Sequence, residues 1–293
     1  MKRFAAGLLA LGGCVGAEVP PPVSVLLPQP QVTIAGPEPV LDGRAEQGSL
    51  IRGRGQPGAT MTLDGRPVPI ASDGSFVLGF DRDAGPSALL VQRWRSADGT
   101  TELGSETRIA VLPRAWRIER VNAPYRAGRT TAEFARLRPG ELAQIAAARA
   151  VTTNAQGWRQ PFRWPAVGRQ SGWFGAQRVY QGRPGSYHSG ADIALPTGAP
   201  VTAPADGVVV LASAAPFTLE GRLLILDHGA GLSSAFLHLS RIDVRVGEAV
   251  RQGQLVGAVG ATGRTTGPHL HWGLQWRGAK LDPLLVAGPM AVR

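Results

Sequence analysis

Cysteine is almost absent from this chain of 293 residues: Cys14 is the only one, so no disulfide can form within the chain. Lysine is nearly absent too, because only Lys2 and Lys280 among the 31 basic residues are lysines. An arginine bias of this kind fits a GC-rich genome as well as a binding role. No basic run is dense enough to indicate nucleic acid. The formal charge of +10 therefore describes a solvated basic surface, and no nucleic-acid partner is predicted.

Long hydrophobic runs are also missing. Residues 4–11, which follow Lys2 and Arg3, are apolar but too few to span a bilayer, and small residues come after them. This pattern predicts a secretory signal peptide over residues 1–17. The LGGC segment that ends at Cys14 resembles a bacterial lipobox, in which the cysteine is lipidated. We expect an exported lipoprotein, anchored to a membrane through Cys14 and facing the periplasm, with cleavage after Ala17 as the alternative.

Aromatic residues make up only 6% of the chain, whereas glycine occurs 39 times and proline 24 times. This composition favours many turns and short strands, and 43% hydrophobic residues still allow packed cores. The predicted fold class is mainly β, with a helical connector between two β regions. The predicted segments are a signal peptide (1–17), a Pro-rich tether (18–30), a small immunoglobulin-like β-sandwich (31–113), a connector with a helix (114–158) and a Gly-rich antiparallel β domain (159–293).

Turn signals divide the two β regions into short strands. An alternating run at residues 59–63 meets Asp64-Gly65, which predicts a hairpin. The other predicted strands lie at 75–78, 88–94, 107–112, 208–211, 223–226, 234–239 and 270–276. Residues 53–59 resemble the start of bacterial immunoglobulin-like modules. Because the first β region has no histidine and no acidic cluster, we expect it to act as a spacer or a binding module.

The connector contains the clearest helix signal, PGELAQIAAAR at residues 139–149. Pro139 suits the first turn of a helix, and alanine has the highest helix propensity. Leu142, Ile145 and Ala146 share one face at helical spacing. The sequence therefore predicts a connecting helix that begins near Pro139.

All five histidines lie in the last predicted domain, which indicates a metal site; they are His188, His228, His238, His269 and His271. His269 and His271 are two apart on a predicted strand, so they face the same side, about 7 Å apart. One metal ion cannot easily take both and keep an open position, so one should bind while the other stands beside it. His188 and Asp192 flank Gly190, which lets their loop curl. Two imidazoles and one carboxylate form the ligand pattern of catalytic zinc.

Six segments of the last domain resemble the M23 (LytM/lysostaphin-type) zinc metallopeptidases, in the family's order. They are HSGADI (188–193), APADGVV (203–209), LDHG (226–229), FLHLS (236–240), GEAVRQGQLVG (247–257) and GATGRTTGPHLH (260–271). The likeness covers about residues 164–287. It implies a Gly-rich antiparallel β-fold with a narrow groove, and peptidoglycan stem peptides or cross-bridges as substrate. It implies Zn²⁺ bound by His188, Asp192 and His271, with His238 and His269 unbound at the reaction centre and His228 structural.

A zinc peptidase needs a group that takes the proton of the attacking water and a group that stabilises the oxyanion. Many use a glutamate, but this domain has only Glu220 and Glu248, neither of which is beside a motif. A histidine is therefore expected to act, since its unperturbed pKa near ~6.5 suits proton transfer at neutral pH. His238 or His269 is the predicted general base and the other the oxyanion donor; the sequence does not order them.

Three other functions fit parts of the sequence. Proteins with this fold that have lost their ligands bind and activate cell-wall amidases, but all five motif residues are present here. A facial triad for non-haem iron also uses two histidines and a carboxylate, yet it leaves the second histidine pair unexplained. An adhesin that grips the wall is compatible with residues 31–112. The predicted function is a zinc-dependent endopeptidase that cuts peptide cross-links of bacterial peptidoglycan.

Overall fold

The computed structural model describes residues 33–34, 36–124 and 131–291. The predicted signal peptide, Cys14 and the Pro-rich tether lie outside the described residues. The described residues form one compact unit. None of their helices combines the length and the hydrophobicity needed to cross a bilayer.

The first β region contains two sheets. Its strands are β1 (Thr33–Ile34), β2 (Val40–Asp42), β3 (Leu50–Arg54), β4 (Thr60–Leu63), β5 (Arg66–Pro67), β6 (Ser75–Gly79), β7 (Ser87–Arg95) and β8 (Glu102–Ala110). One sheet has the order β1-β8-β7-β4-β5 and the other β2-β3-β6. Met61 and Leu90 of the first sheet share a buried cluster with Phe76 and Leu78 of the second. This confirms a β region at the N-terminal side, while its likeness to immunoglobulin modules stays a prediction.

The predicted hairpin at Asp64-Gly65 is confirmed. Both residues have positive φ, +48° and +75°, and they join the antiparallel strands β4 and β5. Two successive left-handed residues match the right-handed twist of the flanking strands, and Asp and Gly tolerate this conformation better than other residues.

The connector holds β9 (Ile118–Val121), helix α1 (Ala132–Ala150) and a 3-10 turn (Gly157–Arg159). The prediction that Pro139 begins the helix is wrong. Helix α1 begins seven residues earlier because the Thr131 side chain accepts a hydrogen bond from the Phe134 amide at 3.0 Å, and Pro139 lies in its interior. Proline lacks an amide hydrogen, so one hydrogen bond of the helix is not made there.

The apolar residues that share a face of α1 are not its buried ones, since Leu142 is 49% exposed and Ala146 is exposed. The buried residues of α1 are Glu141 and Ala148, with Ile145 partly buried beside them. This face carries a charged side chain that is paired inside the protein. A search of the sequence for regularly spaced apolar residues cannot detect such a face, because one of its buried residues is charged.

The second β region is an antiparallel sheet with smaller sheets at its edges. Its elements are β10 (Arg169–Gly172), β11 (Gln177–Tyr180), β12 (Arg183–Tyr187), β13 (Ala191–Ala194), β14 (Pro200–Thr202), β15 (Gly207–Ala212), β16 (Arg222–Asp227), β17 (Leu232–Leu239), β18 (Arg241–Ile242), β19 (Ala249–Val250), β20 (Leu255–Ala258), β21 (Leu270–Trp276), β22 (Ala279–Leu281) and α2 (Pro283–Ala287). The main order is β10-β13-β21-β17-β16-β15-β19, with β22 also paired to β21. The predicted antiparallel β-fold is confirmed.

One face of this sheet forms the core. Leu270, Trp272, Leu274 and Trp276 alternate along β21 and are all buried in it. The same cluster includes the buried residues of the first β region, and Gly79 of β6 lies directly against Trp276. The two β regions therefore share one core. Domain boundaries at 113 and 158 stay a prediction.

His228 belongs to this interior. Its side chain is fully buried, with Nδ1 2.8 Å from the Asp206 carbonyl oxygen and Nε2 2.8 Å from the Ser234 hydroxyl. Since the carbonyl only accepts, Nδ1 donates to it and Nε2 accepts from the serine. Burial lowers the pKa of His228 to about 4. The interpretation of His228 as structural agrees with this environment.

The pKa of His228 predicts how stability depends on pH. The unfolded chain takes up a proton near pH ~6.5 and the folded protein only near pH 4, so this contribution is full above pH ~6.5 and is lost as pH falls toward 4. The loss is about 3 kcal/mol at most. Urea unfolding at several pH values should show a shallower acid decline for His228→Gln than for the unmodified protein. Equal slopes would contradict the assignment.

Candidate metal centre

The register of two strands brings the predicted ligands together. β13 and β21 are antiparallel, with Asp192 directly opposite His271. His188 lies in the loop before β13, and Gly190 lets this loop close on β21: a Cβ there would be 2.4 Å from the Trp272 carbonyl oxygen. The side chains of His188, Asp192 and His271 consequently meet.

Three ligand atoms form a small triangle. His188 Nε2 is 2.9 Å from Asp192 Oδ1 and 3.0 Å from His271 Nδ1, and the latter two atoms are 2.8 Å apart. Bonds from zinc to nitrogen or carboxylate oxygen are about 2.0–2.2 Å long. A single ion can therefore contact all three atoms.

A hydrogen bond behind His188 fixes the orientation of its ring toward the triangle. His188 Nδ1 is 3.1 Å from the Trp173 carbonyl oxygen, which only accepts, so the proton of the neutral ring is assigned to Nδ1. Nε2 then presents a lone pair to Asp192 Oδ1, which is also an acceptor. Two acceptors at this distance repel each other unless a proton or a metal ion lies between them. Two imidazoles and one carboxylate fit zinc.

The electrostatics of the cluster favour a bound cation. Burial by itself raises the pKa of Asp192, but its close contacts with the imidazole rings of His188 and His271 outweigh this effect and hold the pKa far below its usual range. Burial lowers the pKa of His271. The site therefore combines an ionised carboxylate with an imidazole that is disposed to stay neutral, the protonation states in which both bind metal.

His269 stands beside the triangle. Its Nδ1 is 2.9 Å from the Gly267 carbonyl oxygen, which assigns the proton to Nδ1 and leaves Nε2 as the basic nitrogen. That Nε2 is 3.8 Å from Asp192 Oδ1. His269 thus faces the cluster without belonging to the triangle, as expected for one member of a His-x-His pair.

His238 approaches from the neighbouring strand β17. Its ring centroid is 4.8 Å from that of His269 and 6.4 Å from that of His271. Its Nδ1 is 2.8 Å from the Thr262 carbonyl oxygen, so Nε2 is again the basic nitrogen. Burial lowers the pKa of His238, and the neighbouring imidazoles add to this effect. All five predicted site residues therefore converge.

The backbone at His238 departs from a regular strand. The pairing of β16 with β17 shifts register between residues 222 and 224, and His238 has φ +64°. In a regular strand Phe236 and His238 would share a face, but Phe236 is buried in the core with Trp272, whereas His238 lies beside His269. An extra residue in β17 reverses the alternation, and bulges of this kind are frequent next to active sites.

Two clefts open beside the cluster. The first, of about 910 Å³, is lined by His188 and Asp192 and by the aromatic residues Trp173, Tyr180 and Tyr187. The second, of about 230 Å³, lies beside His271 and is partly walled by α1. The connector therefore helps to shape the surroundings of the candidate centre.

Sequence reasoning missed Glu220. It lies far from the motifs in the chain, yet it lines the same cleft as His271 and forms an ion pair with Arg138 of α1, N to O 2.6 Å. Arg138 and Glu220 are 82 positions apart. No local pattern in the sequence could have paired them.

Comparison with known proteins finds that residues 186–283 match the model for peptidase family M23. The chain is 42% identical over 104 residues to the peptidoglycan DD-endopeptidase ShyA of Vibrio cholerae, which covers 36% of this chain and 24% of the relative. It is 39% identical over 108 residues to the DD-carboxypeptidase/endopeptidase Mpg of Neisseria meningitidis, covering 35% and 23%. The chain thus spans about a quarter of the length of these curated relatives.

A solved structure resembles most of the chain. It is a crystal structure of a candidate peptidase M23 from Pseudomonas aeruginosa, 29% identical, with a TM-score of 0.64, and the match covers 84% of this chain and 96% of the other. The likeness therefore extends beyond the 186–283 segment to the connector and the first β region.

Metal analysis separates the three predicted ligands from their neighbours. The purified protein is expected to hold about one zinc ion per chain. Asp192→Ala and His271→Ala should lose it, because each removes a corner of the triangle, whereas His238→Ala should retain it. Elemental analysis after dialysis measures the content. Loss of zinc from His238→Ala would show that a ligand has been assigned wrongly.

Proposed function

We propose, from the premise that residues 186–283 of this chain are a peptidase family M23 domain, that it is a zinc-dependent endopeptidase that hydrolyses peptide cross-links of bacterial peptidoglycan. The observation that carries this proposal is the convergence of three acceptor atoms, 2.8–3.0 Å apart, with two further imidazoles beside them. The named activities of the relatives from Vibrio and Neisseria support the choice of substrate.

His188, Asp192 and His271 would hold the metal. When bound, zinc supplies a Lewis acid that polarises a carbonyl group and lowers the pKa of water. The chain itself orients these ligands, because the Trp173 carbonyl fixes the His188 ring and the strand pairing fixes Asp192 against His271. Such supporting contacts also keep each ring in the tautomer that binds metal.

His238 and His269 would handle protons and the oxyanion. Each ring donates its Nδ1 hydrogen to a carbonyl oxygen, which leaves Nε2 to accept or release a proton. Burial lowers the pKa of His238, so this ring is disposed to be neutral at neutral pH, as a general base must be. One imidazole takes the proton of the attacking water, and the other donates a hydrogen bond to the developing oxyanion.

An amidase-activating scaffold is the competing function. A scaffold has no need of the ligand set, yet all five motif residues lie in one cluster here. Carbonyl oxygens also fix the rings of His188, His238 and His269. We therefore favour catalysis. We also propose that the protein acts in the cell envelope, where its substrate lies; lipidation of Cys14 stays a prediction.

Digestion of purified cross-linked peptidoglycan tests the activity. The full chain with zinc should release new peptide ends, seen by mass spectrometry of the muropeptides, and a chelator should abolish them. The matched control is His188→Ala, which removes one corner of the metal triangle. An absence of new ends from the zinc-loaded protein would favour the scaffold.

Substitution of the unbound histidines tests their roles. His238→Ala and His269→Ala should each lower kcat by about 10²–10⁴-fold, the range for general acid–base groups, while zinc stays bound. Steady-state kinetics on a defined cross-linked muropeptide measures the loss. A variant that keeps near-full kcat would remove that histidine from the mechanism.

A further inference from the structure

Helix α1 contacts the loop that precedes β16, and it does so with charged groups. Arg138 binds Glu220 through two nitrogens, Nη1 to Oε2 at 2.6 Å and Nη2 to Oε1 at 2.8 Å. Arg138 also lies 3.2 Å from Glu141 on its own helix. The three side chains are only 16%, 12% and 8% exposed. Ion pairs that are shielded from water in this way hold their side chains in one geometry, whereas exposed ion pairs do not.

Glu141 fixes the other end of the same loop. Its carboxylate accepts hydrogen bonds from the Thr218 amide and the Thr218 hydroxyl, both at 2.6 Å. The loop closes on itself through two backbone hydrogen bonds between Phe217 and Gly221. Helix α1 therefore binds the loop at two points: Arg138 binds Glu220, and Glu141 binds Thr218.

This loop holds both the backbone and, indirectly, the ring of His238. The Glu220 carbonyl oxygen accepts from the His238 amide at 2.8 Å. Thr262, whose carbonyl accepts from His238 Nδ1, rests on the loop: a Cβ at Gly221 would lie 2.3 Å from the Thr262 carbonyl oxygen. The Thr262 hydroxyl also accepts from the Arg222 amide at 2.8 Å.

The backbone of His238 needs such support. Its φ of +64° is unfavourable for a residue with a Cβ and persists only where the surroundings enforce it. If the loop relaxes, the His238 backbone can return to an extended conformation, and its imidazole then leaves the cluster.

We propose that Arg138 and Glu141 of α1 are positioning residues that keep His238 in place through the loop at residues 217–221. The proposal rests on the proposed function, for it assigns a catalytic purpose to a helix outside the 186–283 segment. The proposed role and an inhibitory role for the connector predict opposite changes in activity. Release of a helix that blocks the centre would raise activity, whereas release of a positioning helix would lower it.

The test uses the full chain with Arg138→Ala, and Arg136→Ala as the matched control, because Arg136 lies on the same helix but is exposed. Arg138→Ala should lower kcat on a defined cross-linked muropeptide on the order of 10–100-fold, the effect of a small misplacement. KM should stay within about twofold and zinc content unchanged, because no ligand is altered. Arg136→Ala should match the unmodified protein. Unchanged or raised kcat in Arg138→Ala would overturn the proposal.

Hydrogen exchange gives a readout that does not depend on catalysis. The His238 amide should exchange faster in Arg138→Ala than in Arg136→Ala, and equal protection would overturn the proposal. An inactive unmodified protein would contradict the proposed function alone, because exchange still reports on the positioning contacts. Should Arg138→Ala fail to fold, Glu141→Gln provides the milder variant. It keeps the shape of the side chain and one acceptor for Thr218, and a smaller fall in kcat with faster His238 exchange is expected.

Discussion

The candidate centre depends on the register between β13 and β21. Ile193, Leu270 and Trp272 are completely buried on one face of the sheet, which leaves Asp192 and His271 opposite each other on the other face. Because side chains alternate strictly, a slip by one residue would send the carboxylate into the core and expose the tryptophan. The hydrophobic effect on one side of the sheet thereby sets the geometry of the ligands on the other.

The connector belongs to this architecture as much as the strands do. Helix α1 lies over the face that carries His271, and its polar contacts reach the loop before β16. The first β region closes the opposite side, where Gly79 packs against Trp276 and Arg52 donates to the carbonyl oxygen of Gln160 at 2.7 Å. The centre is therefore supported from both faces of one sheet, within a single core.

Regular patterns in the sequence anticipated a large part of this structure. The alternation of β21, the hairpin at Asp64-Gly65 and the group of histidines at one end of the chain all rest on short-range rules, and these elements appear as expected. The features that the sequence did not predict correctly depend on other kinds of contact. The start of α1 depends on the Thr131 cap, its inward face on the charged residue Glu141, and the turn of His238 on a bulge. Each of these is stabilised by partners distant in the chain or by a single local contact that has no periodic signature.

By itself the sequence determined the residue types of the candidate site and the strand that carries the His-x-His pair, because imidazole and carboxylate chemistry and side-chain alternation are local properties. The choice of His271 over His269 as a ligand came from the family resemblance. Only the tertiary structure decided which nitrogen of the His188 and His238 rings faces the cluster, since a carbonyl oxygen distant in the chain takes the other nitrogen's hydrogen. It also decided that Arg138 pairs with Glu220, since only the packing of α1 against the second β region brings these two residues together. Long-range contacts are selected by the free energy of the whole fold, and no short segment contains that information.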